Sequence, residues 1–407
     1  MNQKDQKIIR ELAKKYMEIA CSEQQQKMNA RFQASNDLKI VRPPVLIDEI
    51  PWYQINVNGE LDCFCEEPKA KAVELHLRKK LFYARYFKTD RLMDPVWKVH
   101  MSASATGSWP GRQEQILRTD DINNIVSHSF EDVLEDESVL EQMEIPTFRL
   151  NPEADAENMD YYTELFGDSM PVKLVGRGYI YFAPWDEISF LRGVEPLMFD
   201  LYDRPEYTHK IMERFIARQK AEMDFWETHG HIDPTGSNLH CTPAAISGLA
   251  EDGWKASWFR AMAQCFSSVS PAMHDEFEIQ YIKPLAERCA YTYYGCCEPL
   301  DNKIEVIRQI KNLRKIGVSP WANIESSAEQ IGGDYVYARK PNPANVAIHT
   351  DPDVIRRETE ETVKACIRYG CPSEFVLKDI STVSHRLENL TVWAETVSDV
   401  LDRYYGE

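Results

Sequence analysis

Eight short apolar, β-branched runs alternate with helical stretches along this 407-residue chain, and that alternation predicts a closed parallel (β/α)8 barrel of the TIM type. Two further observations support the class. Polar, acidic and aromatic residues gather just past the carboxyl ends of the runs, where such folds build their sites. No GxGxxG or GxxxxGK[ST] loop is present to cradle a dinucleotide or a nucleoside triphosphate. An open doubly wound sheet is the alternative.

The elements follow in order. In residues 1–35, Ile8, Ile9, Leu12, Tyr16 and Ile19 recur at helical spacing, so residues 1–40 are read as an N-terminal helical cap and 41–407 as the barrel. Val41–Ile50 is the first strand. A helical insertion near 54–92 precedes Val96–Ser102, the second strand, and Pro171–Gly178 is the third. After a long helix at 205–229, Ile232–Cys241 forms a fourth, weaker strand; after a helix at 274–289, Thr292–Glu298 forms the fifth. Leu313–Ser319, Asp334–Arg339 and Glu374–Ile380 complete the set, with helices at 300–311, 325–332, 352–370 and 386–404 between and after them.

Hydrophobic residues make up 43% of the chain, ample for a large core. No run approaches the roughly 18 to 20 apolar residues that span a bilayer. The polar start of the chain has no apolar h-region, so a cytoplasmic location is expected, with the ten cysteines mostly reduced. The net charge of −18 repels phosphate backbones and anionic membranes, which argues against both as partners.

A barrel would bring the strand ends to one mouth. The residues collected there are Asp48, Glu49, Trp52, His100, Ser102, Ser104, Arg177, Tyr179, Tyr181, His240, Cys241, Cys296, Cys297, Glu298, Trp321, Arg339, Lys340, Asn342, Lys378, Asp379 and Thr382. So many donors and acids point to an enzyme rather than a passive binding protein. The densest stretch is Tyr291–Pro299, an aromatic run that stops on two thiols, a carboxylate and a proline.

Zinc takes thiolate, imidazole and carboxylate, so His240, Cys297 and Glu298 are the candidate metal ligands, with Cys241 or Cys296 in reserve. Cys296 itself reads more simply as a small buried hydrophobe. In an extended strand Gly295 and Cys297 share one face, and Cys296 and Glu298 the other. Asp48, Glu49, Glu298 and Asp379 are the candidate catalytic acids and bases. Of Asp48 and Glu49, one is expected to face the pocket and the other to pair with a base such as Arg42 or Lys98. Trp52, His100, Tyr179, Tyr181, Arg339, Lys340 and Lys378 are the candidate substrate contacts, and Trp185 could join the two tyrosines as an apolar wall. Cys63 and Cys65, a lone pair with one residue between, are a weak metal signal.

From residue 171 onward the order of features resembles the uroporphyrinogen decarboxylase superfamily. The resemblance rests on Phe199–His209, Glu278–Pro284, Asp334–Ala344 and Val376–Leu387. It covers about four-fifths of the chain, leaving out 1–35 and 54–92. It departs from the true decarboxylases at three places. Their arginine-rich first loop is here Asp48–Trp52, the aspartate after their second strand gives way to Met101–Gly107, and the histidine of their last loop gives way to Lys378–Thr382.

The superfamily's other branch comprises corrinoid-linked methyltransferases, which carry a His-x-Cys pair on the fifth strand and a cysteine on the eighth, all binding zinc. The matching positions here are Gly295 and Cys297, then Lys378 or Asp379. The resemblance therefore implies a methyltransferase that moves a methyl group between a small substrate and a corrinoid; the acids Asp48 and Glu49 and the net charge of −18 lead us to expect that substrate to be neutral or cationic. No Asp-x-His-x-x-Gly stretch occurs, so the corrinoid (methylcobalamin) is expected on a separate protein, and a homodimer is left open. The alternative is a decarboxylase-like lyase or another cofactor-free enzyme on the same scaffold.

Overall fold

The computed structural model describes residues 2–121, 125–229, 232–233 and 238–406. Seven strands form one curled parallel sheet in the order Val45–Ile47, Ser373–Leu377, Val336–Arg339, Leu313–Val318, Tyr291–Tyr294, Trp258–Ala261 and Tyr179–Phe182. Most of these strands are short and buried on both faces, as parallel strands covered by helices must be. Trp97–His100 pairs in parallel with Val172–Val175, and residues 176–178 connect that strand to Tyr179–Phe182. Between Val45–Ile47 and Trp97–His100 no ladder forms among the described residues. Asp90 satisfies Val45 there instead: its carboxylate accepts the Val45 N–H at 2.8 Å and its own N–H donates to the Val45 carbonyl at 2.7 Å.

The expected elements mostly stand where periodicity puts them. The helices Pro205–Thr228, Ile324–Ile331, Pro352–Tyr369 and Leu387–Tyr405 agree with their expected ranges to within a residue or two. The N-terminal cap is two helices, Gln3–Ala20 and Glu23–Asn36, separated by Cys21 and Ser22, and Ser22 caps the second. The insertion near 54–92 holds the helix Pro68–Tyr86.

The fourth strand is a correction. The strand beside Tyr291–Tyr294 is Trp258–Ala261, every residue of it buried, and Ile232–Cys241 does not take that place. In the latter stretch Asn238–Leu239 pairs antiparallel with Thr242–Pro243, so His240 and Cys241 form a turn; residues 234–237 lie outside the described residues. Trp258-Phe-Arg-Ala261 carries an arginine at its centre, which hides its strand character. Outside the alternating pattern, in the region 103–150, Ala103–Ala105 pairs with Phe148–Leu150 and Glu114–Asp120 pairs with Ile125–Phe130, both antiparallel.

Among the described residues, no helix is long and apolar enough to cross a membrane.

Candidate active site

The site is set by how the fifth expected strand ends. Its ladder stops at Tyr294, and Gly295 turns with φ +91°, a conformation glycine accepts without strain. A Cβ there would stand 2.3 Å from a Leu300 methyl, so a larger residue would have to displace that side chain as well as adopt the strained φ. The turn breaks the alternation expected of Cys296 and Cys297. Their sulfurs lie 3.5 Å apart, facing one another.

The last strand supplies the partner. Lys378 follows Leu377 directly, and its side chain is only 3% exposed. Its ammonium donates to Cys296 Sγ at 3.2 Å and lies 3.4 Å from His240 Nε2. Two carboxylates complete its surroundings, Asp379 Oδ1 at 3.2 Å and Glu49 Oε1 at 3.4 Å. Cys297 Sγ donates to Asp379 Oδ2 at 2.8 Å, and the Asp379 N–H donates to Glu49 Oε2 at 2.9 Å. Glu49 and His240 also approach to 3.6 Å.

Backbone strain concentrates at this point. Among the described residues, seven other than glycine have a left-handed φ, and Glu49, His240 and Asp379 are three of them. Such conformations cost about 1 to 3 kcal/mol each and persist where surrounding structure holds them. Here the holding contacts are the hydrogen bonds just given, together with the His240 N–H donating to the Tyr179 hydroxyl at 3.1 Å.

The charges are arranged to favour an anion on Cys296. Its thiol is held well below the ordinary range by the contact with the Cys297 sulfur, against burial, with His240, Arg260 and Lys378 adding to the effect. The same contact and burial push the Cys297 thiol up, so it keeps its proton. Burial opposes a charge on Lys378, but the charges of Cys296 and Asp379 outweigh it and hold the ammonium above its usual range. Glu49 is raised by burial and by Asp379, against the pull of Lys378. Beneath the sulfur lies Arg260, fully buried, its guanidinium 3.9 Å from the Tyr293 ring centre.

Other predicted residues fall elsewhere. Asp48 does not face the cluster; it pairs with Arg91 at 3.0 Å, not with Arg42 or Lys98. Glu298 is fully buried and turned away: its carboxylate accepts the Cys296 N–H at 2.9 Å and the Ala263 N–H at 3.3 Å. Burial and the neighbouring Cys296 charge lift its pKa to about 7. Arg339 is spent on the Ser319 carbonyl and Glu358, and Lys340 reaches Cys241 Sγ at 3.5 Å below the cluster. Trp52 packs edge-on against Phe82. His100, with Tyr179 and Arg177, lines a cavity of about 850 Å³ beside the N-terminal helices.

Tyr181 lies beside His240, ring centres 5.4 Å apart, and opens onto a second cavity of about 910 Å³. That cavity lies against the 103–150 region and is lined by Trp109, Phe148, Phe190 and Asp186. Burial raises the Asp186 carboxyl, and its Oδ2 accepts from Gln264 at 2.8 Å. Sequence reasoning missed this cavity and Arg260. The signal for Arg260 was a lone charge inside the apolar run Trp258–Ala261.

Among the described residues, no three of His, Cys, Asp and Glu are disposed to hold a metal ion. His240, Cys297 and Glu298 in particular do not converge, because Glu298 is occupied by two backbone N–H groups.

No protein-family model matches the chain, and no curated protein matches it. Among solved structures, a methyltransferase from Methanosarcina mazei is similar over 93% of this chain and 99% of its own, with a TM-score of 0.51 and 13% identity. At that identity the likeness is one of fold: this chain has a methyltransferase-like α/β fold.

Proposed function

We propose that the protein is a methyltransferase that moves a methyl group between a small neutral or cationic substrate and a corrinoid carried by a separate protein. The observation that supports this best is the cluster of Cys296, Lys378 and His240, set at the carboxyl edge of a parallel sheet in a methyltransferase-like fold. In this reading the sheet closes into a (β/α)8 barrel across the seam that Asp90 bridges, and the protein works in the cytoplasm.

The roles follow from position. The cavity beside Tyr181, with Trp109, Phe148 and Phe190 in its walls, takes the body of the substrate. Lys378 and His240 face the heteroatom that bears the methyl group. The fixed charge of Lys378 offsets the charge that grows on that atom as its bond to carbon breaks. Glu49 and Asp379 hold Lys378 in place and leave the rim more anionic than cationic, which disfavours a polycarboxylate. The cobalt of a bound corrinoid supplies the methyl-carrying centre.

The test is methyl transfer to added cob(I)alamin, followed by its absorbance, with O-, N- and S-methyl donors supplied in turn. One donor class should yield methylcobalamin, and Cys296→Ser should reduce the rate at least tenfold. Failure of every donor, with equal failure in the reverse direction from methylcobalamin, would overturn the reading. Turnover of uroporphyrinogen would do the same and favour the lyase.

A further inference from the structure

A catalytic zinc ion sits about 2.0 to 2.3 Å from three protein ligands of thiolate, imidazole or carboxylate type. Donors of those types are present at this mouth: Cys296, Cys297, His240, Glu49 and Asp379. What stands among them is an ammonium group. Lys378 Nζ lies 3.2 Å from Cys296 Sγ, 3.4 Å from His240 Nε2, 3.4 Å from Glu49 Oε1 and 3.2 Å from Asp379 Oδ1. A divalent ion in the same place would meet a fixed positive charge at contact distance.

The ammonium has little freedom to withdraw. Its side chain is 3% exposed, and its backbone continues a fully buried strand. The next residue, Asp379, is locked in a left-handed conformation by its N–H bond to Glu49. Cys297 is engaged with Asp379, and the carboxylate of Glu298 faces the backbone. Each donor that zinc would need is committed to Lys378 or to a partner around it.

We propose that the ammonium of Lys378 stands in this protein where a catalytic metal ion would stand, and that it forms a metal-free ion pair with the sulfur of Cys296. Lys378 then offers the substrate heteroatom a fixed positive charge in place of a Lewis acid, while Cys296 balances that charge. The inference rests on the methyltransferase reading only for the identity of the substrate; the ion pair itself does not depend on it.

The experiment needs no methyl donor, so its failure and that of the methyl-transfer reading are distinguishable. Protein purified without chelator is analysed for metals and then titrated with Zn²⁺, with thermal stability as the readout. Wild-type protein should hold far less than one zinc per chain and show no Zn²⁺ shift that depends on Cys296. Lys378→Ala should gain a saturable Zn²⁺ shift, because the thiols, imidazole and carboxylates are freed, and adding Cys296→Ser should abolish it. Lys378→Gln, closer to the original in size, serves as the second variant should the alanine protein fail to fold. Alkylation of Cys296 by iodoacetamide, mapped by mass spectrometry, should be indifferent to chelator and slow at least tenfold in Lys378→Gln. Stoichiometric zinc in the wild type that Cys296→Ser removes would overturn the proposal, as would Lys378 variants that bind zinc no better than wild type.

Discussion

Glu374 offers the sharpest test of how the polar interior under the mouth is held. It lies on the last strand, fully buried, and accepts from Lys315 Nζ at 2.8 Å and from Thr242 Oγ1 at 2.7 Å. Two buried cations lie close to it, Lys315 and Lys340, and Glu374 is the carboxylate whose charge offsets them. At an effective dielectric of about 20, the attraction across the 2.8 Å contact is ~6 kcal/mol, most of which goes to offset desolvation. Removing one partner of such a pair leaves the other charge uncompensated, which costs about 3 to 5 kcal/mol. Glu374→Gln keeps the shape and the Thr242 contact but deletes the charge, so it should lower unfolding free energy by about that amount. The double change Lys315→Met/Glu374→Leu, which replaces the pair with apolar groups but leaves Lys340 without its carboxylate, should recover only part of the loss. Urea unfolding followed by tryptophan fluorescence reads both. A Glu374→Gln protein within about 1 kcal/mol of wild type would refute the reasoning.

Three further outcomes follow from named contacts. Burial pushes His274 down to about 3, and its Nε2 lies 2.6 Å from the Tyr294 hydroxyl, so the folded chain holds it neutral. The unfolded chain binds that proton from about pH 6.5 downward; stability is therefore present above that pH and lost toward pH 3, by up to ~1.4 kcal/mol per unit, and His274→Gln should flatten the slope of stability against pH. Tyr179→Phe removes the acceptor of the His240 N–H, so it should cost about 1 kcal/mol and lower kcat more than it changes KM in steady-state assays. Gly295→Ala would force a Cβ to within 2.3 Å of Leu300 at φ +91°, so thermal unfolding should show a loss well above ~1 kcal/mol.

Much of the order of elements was legible because helices and buried parallel strands leave different periods. Tyr291–Tyr294 and Ser373–Leu377 are apolar runs of strand length, and Pro352–Tyr369 and Leu387–Tyr405 carry clear helical stripes. Trp258–Ala261 was not legible, since four residues with a central arginine carry too little pattern, and only the folded sheet shows that Arg260 is buried. The members of the cluster could be collected as strand-end residues, but their pairing could not. Glu49 and Asp48 are adjacent acids, and which one turns inward depends on the left-handed φ of Glu49. Cys296 is buried, as a small apolar side chain should be, but strand alternation would separate it from Cys297, and the turn at Gly295 brings the two sulfurs together.

That turn also explains why the chemistry centres on sulfur and nitrogen. The interior just below holds three cations, Arg260, Lys315 and Lys340, with the carboxylates of Glu374 and Glu298, sealed from water. Buried cations are costly unless anions complete them, and the sulfur of Cys296 lies where the sheet ends, beside Lys378. The acids of the rim, Glu49 and Asp379, are half-exposed, so they fix the ammonium without neutralising the buried cations. Neutralising the rim alone, as in Glu49→Gln, should therefore loosen Lys378 and slow turnover. It should leave the iodoacetamide reactivity of Cys296 within about threefold of wild type, whereas losing Lys378 should slow it at least tenfold.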